Sequence, residues 1–299
     1  MKKYLYISLI VLAAVSCRKG DLFEQPPFSL ETSTKMAKEI VDGAPDYFGH
    51  VKHDKVTNLA QGVSLLDLSY LNKNGYAMQL YMYKVVVGAA TLAVSTPAAD
   101  QKTAVLSDQA AVLNESATVL GAVNGDAFSA SDKLPLGICY RGGSAIKASF
   151  SDDKGGFFAT LADGTVVIGE QSDYSTYRRS LVNALGTRKR ILQDGYPVQT
   201  GDDKAAARTF VAVSADRMTA WLGVVDGVYF YYSNGISCAD LAAVLQAAGA
   251  SDAALLEGGS QTTLVRRDDL GEKLFPVCNT PSENGIEQPA VNGLAIIQN

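Results

Sequence analysis

Short segments rich in β-branched and aromatic residues recur along most of the chain, and they constrain the fold more than any other feature of the sequence. Turn residues bound these segments and several alternate partly between apolar and polar positions, which is typical of β-strands. They cover residues 62–70, 76–87, 91–95, 118–123, 146–150, 157–161, 165–168, 210–214, 218–225, 228–232, 253–256 and 262–265. Asp163-Gly164 and Asp226-Gly227 each separate two such segments, and Asp-Gly between apolar runs predicts a β-hairpin.

Three further segments have the apolar spacing or the capping residues of helices. They cover residues 30–41, 107–115 and 237–249. Ser107 opens the second as a cap residue, and Ser237 with Asp240 forms a capping box for the third, which stops at Gly249. A chain of 299 residues could form two domains, but the continuous alternation offers no place to divide residues 30–299. We therefore predict an α+β fold: a mixed, mainly antiparallel twisted sheet with a few flanking helices.

Charge and histidine content exclude several classes of function. The chain has 26 Lys and Arg against 31 Asp and Glu, a net charge of −5, whereas nucleic-acid-binding proteins concentrate basic residues. His50 and His53 are the two histidines, which leaves little material for His-based metal sites or Ser-His-Asp triads. Chemistry must rest on carboxylates, guanidinium groups, amides and hydroxyls. We expect no cofactor, although a single carboxylate-bound Mg²⁺ or Ca²⁺ ion stays compatible with this composition.

The first residues have the pattern of an export signal. Lys2-Lys3 precedes a mainly apolar run over residues 4–15, which is shorter than the roughly 18 residues that span a bilayer. The run ends at Ala14-Val15-Ser16-Cys17, which resembles a bacterial lipobox with Cys17 as the acylated residue; ordinary cleavage nearby is the alternative. We expect a signal peptide over residues 1–16 and a lipid-anchored tether over residues 17–29. The protein would then lie in the cell envelope, on the periplasmic face or the cell surface, attached to the membrane by its lipid.

An oxidising compartment would allow disulfide bonds. Apart from Cys17, the chain has Cys139, Cys238 and Cys278, an odd number. A bridge between Cys238 and Cys278 is one possibility. The sequence favours small buried hydrophobic roles for these cysteines, because a chain of this length does not depend on disulfides for its core.

Three polar clusters lie at predicted strand ends, where a strand holds a side chain still and the following loop exposes it. Asn124-Gly125-Asp126-Ala127-Phe128 offers amide and carboxylate groups for sugar hydroxyls, although an ordinary turn has the same composition. Arg208-Thr209 precedes a strand and could bind two phosphate oxygens, although most arginines only solvate a surface. For Asp226-Gly227, which follows the next strand along the chain, a purely structural hairpin is favoured.

The third cluster is Glu257-Gly258-Gly259-Ser260-Gln261-Thr262-Thr263, which follows a short apolar strand. Paired glycines allow successive N–H groups to converge on an anion, and a carboxylate and hydroxyls stand beside them. A Gly-Gly turn without a ligand is about equally common. The cluster is therefore suggestive only in combination with the others.

Taken together, the order and spacing of these motifs resemble the phosphodiester glycosidase family. The matching segments are Asn124 to Phe128, Asp163-Gly164, Arg208-Thr209, Val225-Asp226-Gly227 with Ser233-Asn234-Gly235 and Asp240-Leu241-Ala242, Leu256 to Leu264, and Ala290 to Leu294. Four positions depart from the family pattern: Glu257 replaces Asp, Ser260 replaces Gly, Gln261 replaces Ser or Thr, and Gln288 falls where Arg is common. A longer acid moves a carboxylate by about 1.5 Å, whereas catalytic geometry tolerates about 0.5 Å. Either the substrate differs or the activity is reduced.

The resemblance implies hydrolysis of a sugar-1-phosphodiester at the anomeric carbon, with a carbohydrate or glycan phosphodiester as the partner molecule. In that case Glu257 with Asp126 or Asp226 would supply the catalytic carboxylates. The resemblance further implies a set of substrate-binding groups: Arg208 and the Gly258-Gly259 backbone for the phosphate, Asn124 and Asn292 for sugar hydroxyls, and Thr209, Ser233 and Thr262 beside them. We expect the residues of the three clusters to line one pocket.

Two other functions stay open at this point. A lipid-anchored protein that binds a glycan or sugar phosphate without turnover would also suit the departures, above all Glu257 in place of Asp. A phosphodiesterase that attacks phosphorus usually recruits two metal ions through His and Asp clusters, and the two distant histidines disfavour it.

Overall fold

A computed structural model describes residues 28–151, 155–201, 204–227 and 229–299. The predicted signal peptide, Cys17 and residues 17–27 of the predicted tether lie outside the described residues. Within the described part of the chain, no helix combines the length and the apolar character needed to cross a membrane.

Seventeen strands, four α-helices and two short 3-10 helices (Gln171–Asp173 and Gly259–Gln261) make up the described secondary structure. The helices are α1 (Lys35–Gly43), α2 (Leu106–Asn114), α3 (Tyr174–Tyr177) and α4 (Cys238–Ala247). The strands are β1 (Phe48–Ala60), β2 (Val63–Asn72), β3 (Ala77–Val86), β4 (Ala90–Ser95), β5 (Val119–Asn124), β6 (Cys139–Arg141), β7 (Ser144–Lys147), β8 (Gly156–Leu161), β9 (Val166–Glu170), β10 (Leu181–Thr187), β11 (Lys189–Gln193), β12 (Tyr196–Pro197), β13 (Arg208–Val213), β14 (Thr219–Val225), β15 (Asp252–Leu255), β16 (Leu264–Arg266) and β17 (Gly293–Gln298).

The strands form three sheets in which neighbouring strands are antiparallel. The large sheet has the order β1-β2-β3-β14-β13-β15-β11-β12. The two smaller sheets have the orders β7-β6-β10-β8-β9 and β16-β5-β17-β4. The predicted fold class, a mixed and mainly antiparallel α+β fold with a few helices, is therefore confirmed.

Apolar side chains cover both faces of the large sheet, which explains why its central strands lack a polar face. In β13, Phe210 and Ala212 pack toward α1 and α4, whereas Val211 and Val213 pack toward the smaller sheets. The second of these cores also takes side chains from both smaller sheets, so all three sheets share one buried layer. Tyr83 ties two sheets together, because its hydroxyl donates to the Val265 carbonyl at 2.7 Å.

Two of the predicted turn and cap features are confirmed, and a third is wrong. Asp163-Gly164 does join β8 to β9, with Gly164 at φ +83° and the Asp163 carboxylate accepting from the Thr165 N–H. Ser237 caps α4, because its Oγ accepts from the Asp240 N–H at 3.1 Å. The predicted cap Ser107 instead lies inside α2, where its N–H and hydroxyl donate to Glu287.

The predicted strand over residues 228–232 and its hairpin at Asp226-Gly227 are wrong. β14 ends at Val225, and the described residues after Gly227 form a turn that closes through a Tyr229–Ser233 bridge. The reason is a long-range contact: the Asp226 N–H donates to the Gln79 carbonyl in β3, which keeps the chain beside β3 past the end of β14, so it does not reverse at Asp226-Gly227.

Local patterns also do not reveal β1, β6, β10, β11, β12 and β17. β1 illustrates the cause, because it lies at the edge of the large sheet and most of its residues are exposed or half-buried, so no apolar alternation marks it. The three described cysteines are unpaired. Cys238 packs in the helix-side core and Cys278 packs against the core on the other face of the large sheet, which rules out the bridge considered above.

Candidate active site

Two of the sheets bring strand ends together and so assemble the polar clusters. In the large sheet β13 begins at Arg208 opposite Val225, the last residue of β14, and Phe210 faces Leu255 at the end of β15. In the sheet β16-β5-β17-β4, Asn124 at the end of β5 faces Gly293 at the start of β17. Antiparallel pairing therefore places residues from distant parts of the chain at shared sheet edges.

Asn124 connects these two edges through its side-chain amide. Its Oδ1 accepts from the Thr209 hydroxyl at 2.7 Å and from the Thr263 N–H at 3.0 Å. Its Nδ2 donates to the Glu257 carbonyl at 2.7 Å. Because Asn124 is buried and these bonds use both ends of the amide, it holds the backbone of Glu257 against the large sheet.

Asp126 is a buried residue of the loop that follows β5. Its N–H donates to Asn292 Oδ1 at 2.8 Å, and its Oδ2 accepts from the Gly137 N–H at 2.6 Å. A Cβ at Gly186 would lie 2.4 Å from that same oxygen, so glycine is needed where β10 passes the carboxylate. Burial raises the pKa of Asp126 to about 6, against the opposing effects of the Gly137 hydrogen bond and the Arg188 charge.

Asp226 is a second buried carboxylate with a separate set of donors. Its Oδ1 accepts from Asn279 Nδ2 at 2.8 Å, and its Oδ2 accepts from the Thr280 N–H and the Tyr232 hydroxyl, each at 2.9 Å. Burial raises the pKa of Asp226 to about 6, although these three hydrogen bonds lower it in part. The Ser233 hydroxyl donates to the Asp226 carbonyl and accepts from the Gln79 N–H, which holds this segment on β3.

An open cleft of about 550 Å³ lies at the edge formed by β11, β15 and β13. Its charged lining residues are Arg188, Lys189, Arg208 and Glu257, and we call it the arginine cleft. The Glu257 carboxylate lies 3.7 Å from Arg188 Nε, and each of these side chains is about one third exposed. Burial raises the pKa of Glu257, and the Arg188 charge lowers it in part. Three cations therefore line the same cleft as one partly exposed carboxylate, which is an arrangement suited to an anionic ligand.

Arg208 is held at the mouth of the arginine cleft by backbone carbonyls. Its Nη2 donates to the Lys204 carbonyl at 2.8 Å and its Nε to the Ile236 carbonyl at 3.4 Å. A guanidinium group has five N–H donors, so these bonds orient the side chain and leave donors for a ligand.

The glycine pair after β15 forms the floor of the arginine cleft. A Cβ at Gly258 would lie 2.8 Å from the Ala207 carbonyl oxygen, and Gly259 has φ +62°. Both positions therefore favour glycine, one for close approach and one for its backbone conformation. The Gly259 N–H donates to the Ala207 carbonyl at 3.0 Å, so the expected convergence of both glycine N–H groups on a ligand does not occur.

The structure thus divides the predicted site residues into two groups, those that line the arginine cleft and those that are buried near it. Arg208, Glu257, Gly258 and Gly259 line the arginine cleft. The other predicted residues lie buried around it: Asn124, Asp126, Thr209, Asp226, Ser233, Thr262 and Asn292. The expectation that all of them line one open pocket is therefore met only in part. The Thr262 and Thr263 hydroxyls are buried without a hydrogen-bond partner among the described residues.

Sequence reasoning missed Arg188 and Lys189 in the arginine cleft, and Asn279 and Tyr232 at Asp226. Arg188 follows β10, a strand that local patterns do not reveal, so no strand end drew attention to it. The run Arg188-Lys189-Arg190 was the available signal. Asn279 lies in a loop without any motif.

A second cavity of about 410 Å³ lies at the ends of β2 and β3, close to the segment that carries Asp226. Amides and hydroxyls dominate its polar lining, and we call it the amide cavity. That lining comprises Tyr47, Asn72, Asn74, Tyr76, Asn234, Ser237 and Asp240. Ile236, which precedes Ser237, accepts the Arg208 bond, so one short segment separates the two cavities. Among the described residues, no group of three or more His, Cys, Asp or Glu side chains could hold a metal ion.

A match to a family model identifies the class of protein to which this chain belongs. The family model of the phosphodiester glycosidases matches residues 117–297, more than half of the 299-residue chain, and the chain belongs to that family. Membership of this family supports a hydrolase-type function.

Several solved structures have a similar fold. The catalytic domain of zebrafish N-acetylglucosamine-1-phosphodiester alpha-N-acetylglucosaminidase, auto-inhibited by its pro-peptide, superimposes with a TM-score of 0.64 at 17% identity, over 83% of this chain and 88% of that chain. A hypothetical protein from Synechocystis has a TM-score of 0.58 at 14% identity, over 83% of this chain and 64% of that chain. A putative exported protein from Burkholderia pseudomallei has a TM-score of 0.56 at 13% identity, over 75% and 74%. At these identities the likeness shows the fold alone. No curated protein sequence matches the chain.

Proposed function

We propose that this protein hydrolyses a sugar-1-phosphodiester at the anomeric carbon. The observation that carries the proposal is the arginine cleft, where the partly exposed Glu257 carboxylate lies beside Arg188 and where Lys189 and Arg208 also line the wall. A phosphodiester is an anion, so it needs cationic donors, while the anomeric carbon develops positive charge and needs a carboxylate. Membership of the phosphodiester glycosidase family supports the same chemistry.

The order of strands in the large sheet supports an orientation for the substrate. Along one edge, the order β11-β15-β13-β14-β3 gives Arg188, then Glu257, then Arg208, then Asp226, and then the amide cavity. In the proposed complex the anomeric carbon lies at Glu257 and the phosphate at Arg208. The alcohol on the other side of the phosphate then faces the amide cavity.

In the reaction, the oxygen of water ends on the anomeric carbon and the bond from that carbon to the phosphate oxygen breaks. The phosphate monoester leaves with the bonding electrons and is stabilised by the guanidinium groups. Because phosphate is a good leaving group, the step makes a weak demand on a general acid. Glu257 serves as nucleophile or as base toward water, and the anomeric configuration of the released sugar distinguishes these two courses. Asp126 and Asp226 stay predicted as catalytic carboxylates, and their burial suits proton transfer near neutral pH.

The test uses an aryl phosphodiester of N-acetylglucosamine-1-phosphate and measures the release of free sugar. We expect turnover by the natural protein, loss of turnover in Glu257→Gln, and depressed turnover in Arg208→Lys, because an ammonium group cannot reproduce the planar fork. Glu272→Gln and Arg178→Lys, at exposed positions, are the matched controls and should be unaffected. Saturable binding without sugar release from any of a panel of sugar phosphodiesters would overturn the proposal. That outcome would favour the glycan-binding alternative instead.

A further inference from the structure

A second cleft of about 450 Å³ opens at the opposite edge of the large sheet, and we call it the opposite-edge cleft. β13 begins at Arg208 in the arginine cleft and reaches this second cleft at Val213. At about 3.4 Å per residue, the two clefts are roughly 17 Å apart along that strand. We propose that the opposite-edge cleft is a non-catalytic binding site for a neutral oligosaccharide. The inference does not rest on the proposed hydrolysis.

One wall of the opposite-edge cleft presents a fixed pair of planar charged groups. The Arg190 guanidinium donates to the Asp252 carboxylate and lies 3.7 Å from Glu170, and the Arg190 and Asp252 side chains are only 14% and 16% exposed. Opposite charges within one wall leave little net field for a charged ligand. They still offer donors and acceptors in fixed positions, which match adjacent sugar hydroxyls because each hydroxyl both donates and accepts.

The rim of the opposite-edge cleft has two residues whose backbone conformation favours glycine. Asp194 has φ +51° and Arg217 has φ +61°, and both line the cleft. A side chain in this region costs roughly 1 kcal/mol or more relative to glycine. Asp194 with Gly195 forms the two-residue turn between β11 and β12, where Asp is a common residue, so the turn accounts for Asp194. The turn does not account for Arg217, whereas a ligand that uses the Arg217 side chain would. Arg217 Nη2 also donates to the Tyr177 hydroxyl at 3.5 Å, and the Tyr177 ring packs against Phe157 with centroids 6.1 Å apart.

The remaining polar groups of the cleft favour a hydroxyl-rich ligand without charge. The side chains of Thr176, Gln193 and Ser251 line it and make no hydrogen bond within the described part of the chain. Its charged lining residues are Asp173, Asp194, Asp252, Arg190 and Arg217. Carboxylates outnumber guanidinium groups, so this cleft disfavours the anions that suit the arginine cleft. A glycan held here would stay close to the arginine cleft and raise its effective concentration there.

The test measures binding of phosphate-free neutral oligosaccharides, because such ligands have no need of the cationic cleft. The probes are tri- to hexasaccharides of glucose, mannose, galactose and N-acetylglucosamine. Their binding is measured by saturation-transfer NMR and titration calorimetry. We expect at least one to bind the natural protein, and the Asp194→Gly/Arg217→Gly variant to bind it at least about tenfold more weakly, as expected for one lost hydrogen bond to a charged group. Arg208→Lys should bind it unchanged, because Arg208 belongs to the other cleft.

Both glycine substitutions suit a left-handed backbone, so this variant should fold, and its thermal unfolding midpoint verifies this. Three results would overturn the inference: no binding by any probe, equal binding by the double glycine variant, or loss of binding in Arg208→Lys. The last result would place the sugar in the arginine cleft. Stronger binding of inorganic phosphate than of sugar at the opposite-edge cleft would also contradict it.

Discussion

At the scale of single residues, Glu257 is the position where this chain departs most informatively from the family pattern. Its carboxylate stands 3.7 Å from Arg188 Nε in the arginine cleft, and its backbone is held by Asn124. Shortening the side chain by one methylene moves the carboxylate by about 1.5 Å, which is large compared with the precision that catalysis needs. The geometry around Glu257 therefore decides whether the longer acid attenuates or maintains activity.

Glu257→Asp tests this point directly by sugar-release kinetics. We expect lower kcat/KM in the variant, because the Glu257 carboxylate stands beside Arg188 and the shorter acid withdraws from that charge. Higher kcat/KM in Glu257→Asp would contradict this expectation. It would instead indicate an enzyme attenuated by its own glutamate.

We expect Asp126 to make the free energy of unfolding depend on pH. Its pKa is about 6 in the folded protein, against an ordinary value of 3.8, because burial disfavours the charged carboxylate. The folded state therefore binds a proton more tightly than the unfolded state, and the free energy of unfolding falls as the pH rises from about 4 to above 6. The shift corresponds to roughly 3 kcal/mol between pH 4 and pH 7 at about 1.36 kcal/mol per pKa unit. Asp126→Asn should remove this part of the dependence, leaving a flatter profile of unfolding free energy in urea titrations at pH 4, 5, 6 and 7. An unchanged slope in the variant would show that Asp126 titrates normally.

At the scale of elements, α4 shows how local chemistry suffices to begin a helix. Ser237 Oγ accepts from the Asp240 N–H and donates to the Asp240 carboxylate at 2.8 Å. The carboxylate of Asp240 therefore bonds to the hydroxyl of Ser237, whereas in the usual capping box the acid accepts from the backbone N–H of the cap residue. The helix then buries Leu241, Val244 and Leu245 against the large sheet.

Ser237→Ala should lower the free energy of unfolding by about 1 kcal/mol, the usual effect of losing an N-terminal cap. Urea denaturation followed by circular dichroism measures this loss. Ser107→Ala is a useful comparison, because Ser107 lies inside α2 and its hydroxyl bonds to Glu287 instead of capping the helix. Equal stability of Ser237→Ala and the natural protein would show that packing alone determines where α4 begins.

At the scale of the whole molecule, we propose that the protein is tethered to a membrane by its N-terminal region. The support is the sequence alone: an apolar run over residues 4–15 that ends in a lipobox-like segment at Cys17. In this proposal the lipid on Cys17 supplies the membrane attachment, because an acyl chain binds a bilayer by burying its apolar carbons. Cys17→Ala should therefore move the protein from the membrane fraction to the soluble fraction after cell lysis. Detection by immunoblot of equal amounts in the membrane fraction would contradict the proposal.

The structural features that the sequence alone determined are formed by residues that are close together along the chain. The β8–β9 turn, the cap of α4 and the strand character of the central sheet follow from residues that contact their near neighbours. The family could be recognised because its motifs keep their order even where single residues change. Fold class and family were therefore predictable, while the roles of the site residues stay predictions.

Tertiary structure alone decided the rest, because those features depend on contacts between distant segments. The segment after Asp226 follows β3 instead of forming a hairpin, since its backbone bonds to Gln79. Arg188 enters the site only because β11, which it precedes, pairs with β15 and the Arg188 N–H donates to the carbonyl of Leu255 at the end of β15. The difference between partly exposed Glu257 and buried Asp126 has the same origin: the packing of three sheets sets which carboxylate meets solvent, and no local pattern encodes that packing.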